Sequence, residues 1–172
     1  MRVKDVSDLI NRAEAGEAKA QYRLGECYYL GVGVKRDNAK AEYWYIKAAE
    51  QGYNIARYRL GNWFFLGEGA DTGKALYWYT RAAEAGYAKA QAFLGDCYCG
   101  GIMVGIDYEK AAYWYKKAAS RKNAEGQWGL GGCYYFGYGV EKDREKAKEL
   151  WQKSAAKGFQ SASAELKKYF GI

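Results

Sequence analysis

No histidine occurs among the 172 residues. Its absence removes the commonest general base and metal ligand. A Ser-His-Asp or Cys-His arrangement is therefore impossible. Carboxylates are plentiful, but their spacing singles out no pair; they read as solvated helix surface and helix caps. Cys27, Cys97 and Cys133 share one place in a repeat, and Trp63 fills it in the remaining unit. A place that takes Cys or Trp is a packing slot, because free Cys behaves as a small hydrophobe. Equivalent places in neighbouring units lie at least ~8–10 Å apart, beyond the ~7 Å Cα limit for a disulfide. Cys97 and Cys99, two apart on a helix, point to different faces. Gly129-Leu130-Gly131-Gly132 has the glycines of a phosphate loop, yet it lacks Lys-Ser/Thr and follows no strand. The expectation is a non-enzyme with no catalytic residue, no cofactor and no metal.

Aromatic residues beside cations form the second candidate chemistry. Tyr43-Trp44-Tyr45, Tyr77-Trp78-Tyr79 and Tyr113-Trp114-Tyr115 are each followed two residues on by Lys47, Arg81 or Lys117. On a helix three adjacent side chains point about 100° apart, so they cannot face one ligand. Tyr45 lies four residues from Ala41 and three from Ala48, on the packed face. Trp44 is expected to touch an adjacent helix, and Lys47 to reach solvent. The net charge of +7 is spread thinly along the chain, whereas a nucleic-acid binder concentrates its cations. Nucleic acid is not the expected partner. No apolar leader opens the chain, and no run approaches the ~20 apolar residues of a membrane span. The expectation is a cytoplasmic, monomeric protein with no membrane association.

The elements that carry these residues repeat. Leu-Gly recurs at Leu24-Gly25, Leu60-Gly61, Leu94-Gly95 and Leu130-Gly131, with spacings of 36, 34 and 36. Tyr28, Phe64, Tyr98 and Tyr134 follow each Leu by four residues, and Gly31, Gly67, Gly101 and Gly137 by seven. Each unit reads as two helices. Helix A carries Ala20, Leu24, Cys27 and Tyr28 on one face and ends at a glycine. Helix B begins near Asp37, Asp71, Asp107 or Asp143, which suit free N–H groups at a helix start. The glycine of Leu-Gly is expected to let helix B approach closely. The spacing gives one repeat domain, 1–172: a half-repeat 1–15, repeats 16–51, 52–85, 86–121 and 122–157, and a capping half-repeat 158–172. Val6 to Ala15 reads as a lone helix B and Phe159 to Ile172 as a lone helix A, whose Lys167 and Lys168 suit a polar outer face.

Ala20, Leu24-Gly25, Tyr28, Gly31-Val32-Gly33-Val34, Lys40-Ala41, Trp44-Tyr45, Lys47-Ala48-Ala49 and Gly52 resemble the Sel1-like repeat, a relative of the tetratricopeptide repeat. The likeness covers nearly the whole chain. It implies an all-α fold: a right-handed α-solenoid of about five helix-turn-helix units, with helix A lining the concave side. It also implies an adaptor or scaffold role, and family members include bacterial regulatory and toxin-neutralising, immunity-type proteins. The paired cysteines of the secreted branch are missing here. Two loops depart from the pattern: the second repeat's is shorter by two residues, and the third, Gly100 to Ile106, is apolar and lacks the G-x-G. Met103 to Ile106 is a candidate contact.

The geometry implied by the resemblance turns particular helix A places towards a protein or peptide partner. Tyr22 and Tyr29 are the aromatic candidates of the first repeat, with Lys19, Glu26 and Leu30 beside them. Tyr58, Asn62 and Phe65 belong to the second. Lys89 and Asp96 mark the third, where Ala92, Cys99 and Gly100 make a small middle that could form a pocket. Trp128 and Tyr135 complete the set in the fourth. Aromatic residues are enriched at interface hot spots.

Overall fold

The computed structural model describes residues 3–67 and 70–172. Among these residues there are ten α-helices and no strand. Helix α1 is Val3–Glu14. The helix pairs follow as α2 Ala18–Leu30 with α3 Asn38–Glu50, α4 Asn54–Leu66 with α5 Thr72–Glu84, α6 Ala88–Gly100 with α7 Tyr108–Ser120, and α8 Ala124–Phe136 with α9 Arg144–Ala155. The lone helix α10 is Gln160–Phe170. Helix α1 starts three residues before the expected Val6, and α10 stops at a left-handed Gly171. Two compact units result, Met1–Arg81 and Ala82–Ile172.

The aspartates start helix B as expected. Asp37, Asp71, Asp107 and Asp143 each accept the backbone N–H three residues on, at 2.9, 2.9, 2.9 and 3.0 Å. Helices α2, α6 and α8 end on a left-handed glycine whose N–H returns to the carbonyl of Cys27, Cys97 or Cys133. The second repeat's shortened loop includes Glu68 and Gly69, which lie outside the described residues.

The loop of the third repeat is regular in backbone despite its sequence. Met103 takes φ +61°, in the register place where Gly33 has +75° and Gly139 +65°. The Asp107 N–H still returns to the Tyr98 carbonyl at 2.9 Å, as Asp37 does to Tyr28 at 3.0 Å. A non-glycine residue there carries roughly 1–3 kcal/mol of strain. Lys122 does the same at the unit start, with φ +58° where other repeats have glycine.

What fixes the spacing of each pair is a ring on a glycine. The Tyr45 ring lies against Gly25 so closely that an added Cβ would stand 2.6 Å from it. Tyr79 covers Gly61, Tyr115 covers Gly95, and Trp151 covers Gly131 in the fourth repeat. Tyr45, Tyr79, Tyr115 and Trp151 are all buried. In the first unit Leu9, Ala13, Ala20, Leu24 and Cys27 make the core, with Trp44 packed against it. In the second, Ala111, Ala112, Tyr115, Leu130 and Cys133 form one cluster, and Trp151, Ala162 and Leu166 another. Buried glutamines join consecutive pairs: Gln21 donates to the Ala13 carbonyl and Gln91 to that of Ala83.

Helix B keeps its first aromatic outside. Tyr43, Tyr77 and Tyr113 are 52%, 52% and 51% exposed, each edge-on to the following Trp. Lys47, Arg81 and Lys117 lie over these three rings. The repeated block is thus one packed ring, one half-buried ring and one surface ring.

Candidate functional site

In the first unit the helix A faces of α2 and α4 meet around a carboxylate. Glu26 accepts a hydrogen bond from the Tyr45 hydroxyl of α3. It also accepts two from Arg59 of α4, Nε to one oxygen at 2.8 Å and a terminal nitrogen to the other at 2.9 Å. The Arg59 guanidinium lies 5.2 Å from the Tyr29 ring centre and 5.9 Å from that of Tyr45. Burial, followed by the hydrogen bond to Glu26, pushes the Tyr45 hydroxyl up. Burial lowers the Arg59 pKa, but the bonds to Glu26 and Tyr45 outweigh it and the net shift is upward.

Of the expected contact residues of this unit, Tyr29 borders the Arg59 guanidinium and Tyr22 reaches the pair through Tyr45. Tyr22 packs on Tyr45 and Tyr53, with ring centres 5.8 and 5.5 Å away. Tyr29 meets Trp63 at 5.7 Å. Tyr58 stands edge-on to Tyr79 at 5.5 Å, and Asn62 accepts the Tyr79 hydroxyl at 2.7 Å. Phe65 is half-buried. An open cleft of about 680 Å³ is lined by Tyr29, Arg36, Arg59, Asn62, Trp63 and Lys74. Tyr29 and Asn62 were expected there from the repeat register. Arg36, Arg59 and Trp63 were not; the clue was that Arg59 and Trp63 occupy register places whose residue type changes from repeat to repeat.

The second unit is built differently at the same places. Lys89 is exposed. Asp96 accepts the Tyr115 hydroxyl at 2.7 Å. Burial raises its carboxyl pKa to about 6, against the hydroxyl's lowering and with a contribution from Glu125. Ala92 is fully buried, and α6 packs directly on α8. The small residues of the third repeat therefore bring two helices together, and the pocket expected at Ala92 is closed. Trp128 packs on Phe159 with ring centres 5.7 Å apart, and its carbonyl accepts Trp151 Nε1 at 3.0 Å. Tyr135 lies among Trp151, Tyr169 and Phe170, with the Arg144 guanidinium 5.1 Å away. Both are held by α9 and α10 as well as by their own helix.

Cys27, Cys97 and Cys133 are buried free thiols, and burial pushes Cys97 and Cys133 up to about 12. Among the described residues no group of three His, Cys, Asp or Glu side chains could hold a metal ion. No helix among them is long and apolar enough to cross a membrane.

Four segments, residues 18–53, 54–87, 88–123 and 124–159, match the Sel1 repeat. The chain belongs to the Sel1 repeat family. Its fold is that of a Sel1 repeat protein from Oxalobacter formigenes, with a TM-score of 0.90 and 38% identity over 96% of this chain and 49% of that one. It also matches c5321, a protective antigen of uropathogenic Escherichia coli strains, with a TM-score of 0.88 and 34% identity, covering all of this chain and 38% of that one. A 46-residue stretch is 41% identical to the ERAD-associated E3 ubiquitin-protein ligase component HRD3A of Arabidopsis thaliana, 26% of this chain and 7% of that protein. The Sel1 chain thus spans about half or less of each of these relatives. Sel1 repeats are commonly protein–protein interaction modules and typically non-enzymatic scaffolds.

Proposed function

We propose that this Sel1 chain is a non-enzymatic adaptor whose helix A faces receive a segment of a partner protein. The observation that carries this reading is the cleft of the first unit. It is open, about 680 Å³ in size, and joins the Tyr29 and Trp63 rings to Arg36 and the Asn62 amide. Aromatic and arginine anchors carry most of the energy in protein interfaces. A side-chain amide such as that of Asn62 can hydrogen-bond a peptide backbone.

The test is affinity capture with the full chain, followed by Arg36→Ala and Asn62→Asp. Both side chains line the cleft; Arg36 is exposed, and Asp at 62 keeps the acceptor for the Tyr79 hydroxyl while removing the amide donor. Capture of one partner that both variants lose, with helicity and melting unchanged, supports the groove. A partner retained equally by both variants overturns it.

A further inference from the structure

The third repeat has the chemistry of the first with one group missing. Asp96 and Glu26 each stand two residues after the Leu of their Leu-Gly. Each accepts the hydroxyl of the helix B tyrosine that covers the neighbouring glycine, Tyr115 or Tyr45. In the first unit the carboxylate is then neutralised by Arg59, one residue before the Leu of the next helix A. In the second unit that register place on α8 is Gly129. An internal arginine could not be restored there, because a Cβ on Gly129 would run into the Tyr115 ring.

The unneutralised carboxylate is also within reach. Asp96 is only half-buried, and one of its oxygens takes the Tyr115 hydroxyl. One turn beyond Gly129 on α8, a Cβ on Gly132 would meet nothing within 4 Å, so the face is open there. The Tyr29 ring beside Arg59 and the Trp63 ring packed on Tyr29 are replaced by the smaller Cys99 and Cys133. Glu125 of α8 adds negative charge to the field at Asp96, partly offset by Lys89 on Glu125.

We propose that an arginine side chain of the partner docks against Asp96, making to it the contact that Arg59 makes to Glu26. Arginine rather than lysine is specified because a planar guanidinium can grip two carboxylate oxygens, as Arg59 does. This inference rests on the reading that helix A faces bind a partner segment. It assigns that segment a chemistry: a cation for the second unit, beside whatever fills the cleft of the first.

The probe is the blocked peptide acetyl-Gly-Arg-Gly-amide, with its citrulline counterpart as the uncharged isostere, titrated into the isotope-labelled full chain and followed by NMR. The expected result is shifts centred on α6 and α8 around Asp96, with citrulline binding at least roughly tenfold weaker. In Asp96→Asn, which keeps the acceptor for Tyr115, the arginine peptide should lose that preference. Equal binding of the two peptides, or an unchanged arginine titration in Asp96→Asn, overturns the inference. The captured partner separates this from the groove reading. If Arg36→Ala and Asn62→Asp release it while Asp96→Asn does not, the arginine contact falls and the groove stands. If Asp96→Asn alone releases it, the arginine contact stands and the cleft of the first unit is not the groove.

Discussion

Glu26 and Asp96 occupy one register place in two repeats, and the chain treats them oppositely. Around Glu26 the residues are large: Tyr22, Tyr29, Arg59 and Trp63, with the Arg59 guanidinium beside the Tyr29 and Tyr45 rings. Around Asp96 they are small: Ala92, Cys99, Gly129 and Cys133 let α6 settle on α8. Closer helices bury the carboxylate more and leave no room for an internal cation. A repeat can thus keep its backbone while changing a closed ion pair into an unanswered charge. The lesson is that the functional content of such a chain lies where one repeat fails to complete the chemistry of another.

The comparison can be broken most sharply by forcing the first arrangement onto the second. Gly129→Arg should cost about 3 kcal/mol or more in urea unfolding, because its Cβ enters the Tyr115 ring. A cost under 1 kcal/mol would mean that α6 and α8 separate easily. The reverse change, Arg59→Gly, strands Glu26 beside Tyr45. It should cost about 2 kcal/mol, below the fully buried range because both side chains keep about a third or less of their exposure.

Asp96→Asn should act in the other direction and stabilise the chain at pH 7 by about 1–2 kcal/mol. The folded carboxyl titrates at about 6, above its unfolded value. The folded state therefore holds a proton that the unfolded state has released, and this contribution is present at low pH and lost as pH rises from ~4 through about 6. The advantage of Asn should vanish below pH ~4 and be complete above about 6. The groups that bear on this titration are Tyr115 on α7, Glu125 on α8 and, through Glu125, Lys89 on α6. Thermal melts of both proteins from pH 3.5 to 8 check it; a constant difference would remove Asp96 as its source. A variant that stabilises the chain and weakens its partner is the pattern of a binding residue.

The smallest effect separates two adjacent glycines. Gly131 lies under the Trp151 ring and Gly132 faces open space. Gly132→Ala should be neutral or stabilising by up to ~1 kcal/mol from helix propensity alone. Gly131→Ala should instead lower the melting temperature. Equal responses would deny that the Leu-Gly glycine exists to receive a ring.

Much of the fold was legible because its determinants are local and repeated. An aspartate capping a helix acts on the N–H three residues away, and an aromatic ring on a glycine recurs in every pair. Where sequence reading went astray, a non-local factor decided. Met103 looked like a break in the loop pattern, yet backbone closure by Asp107 holds it in the glycine conformation. Ala92 looked like the floor of a pocket, but small size closed the gap instead. Trp128 and Tyr135, expected on a partner face, also take contacts from Phe159 and Tyr169, which the repeat register alone did not supply.

By itself the sequence determined the repeat period, the helix pairs, their aspartate starts and the close approach of helix B at the Leu-Gly glycine. Each of these depends on residues within one unit. Only the tertiary structure decided which carboxylate is neutralised. That contact joins Arg59 to Glu26 across 33 residues. It forms only when side chains on three helices set the distance between α2 and α4, and no single repeat carries that distance in its own sequence.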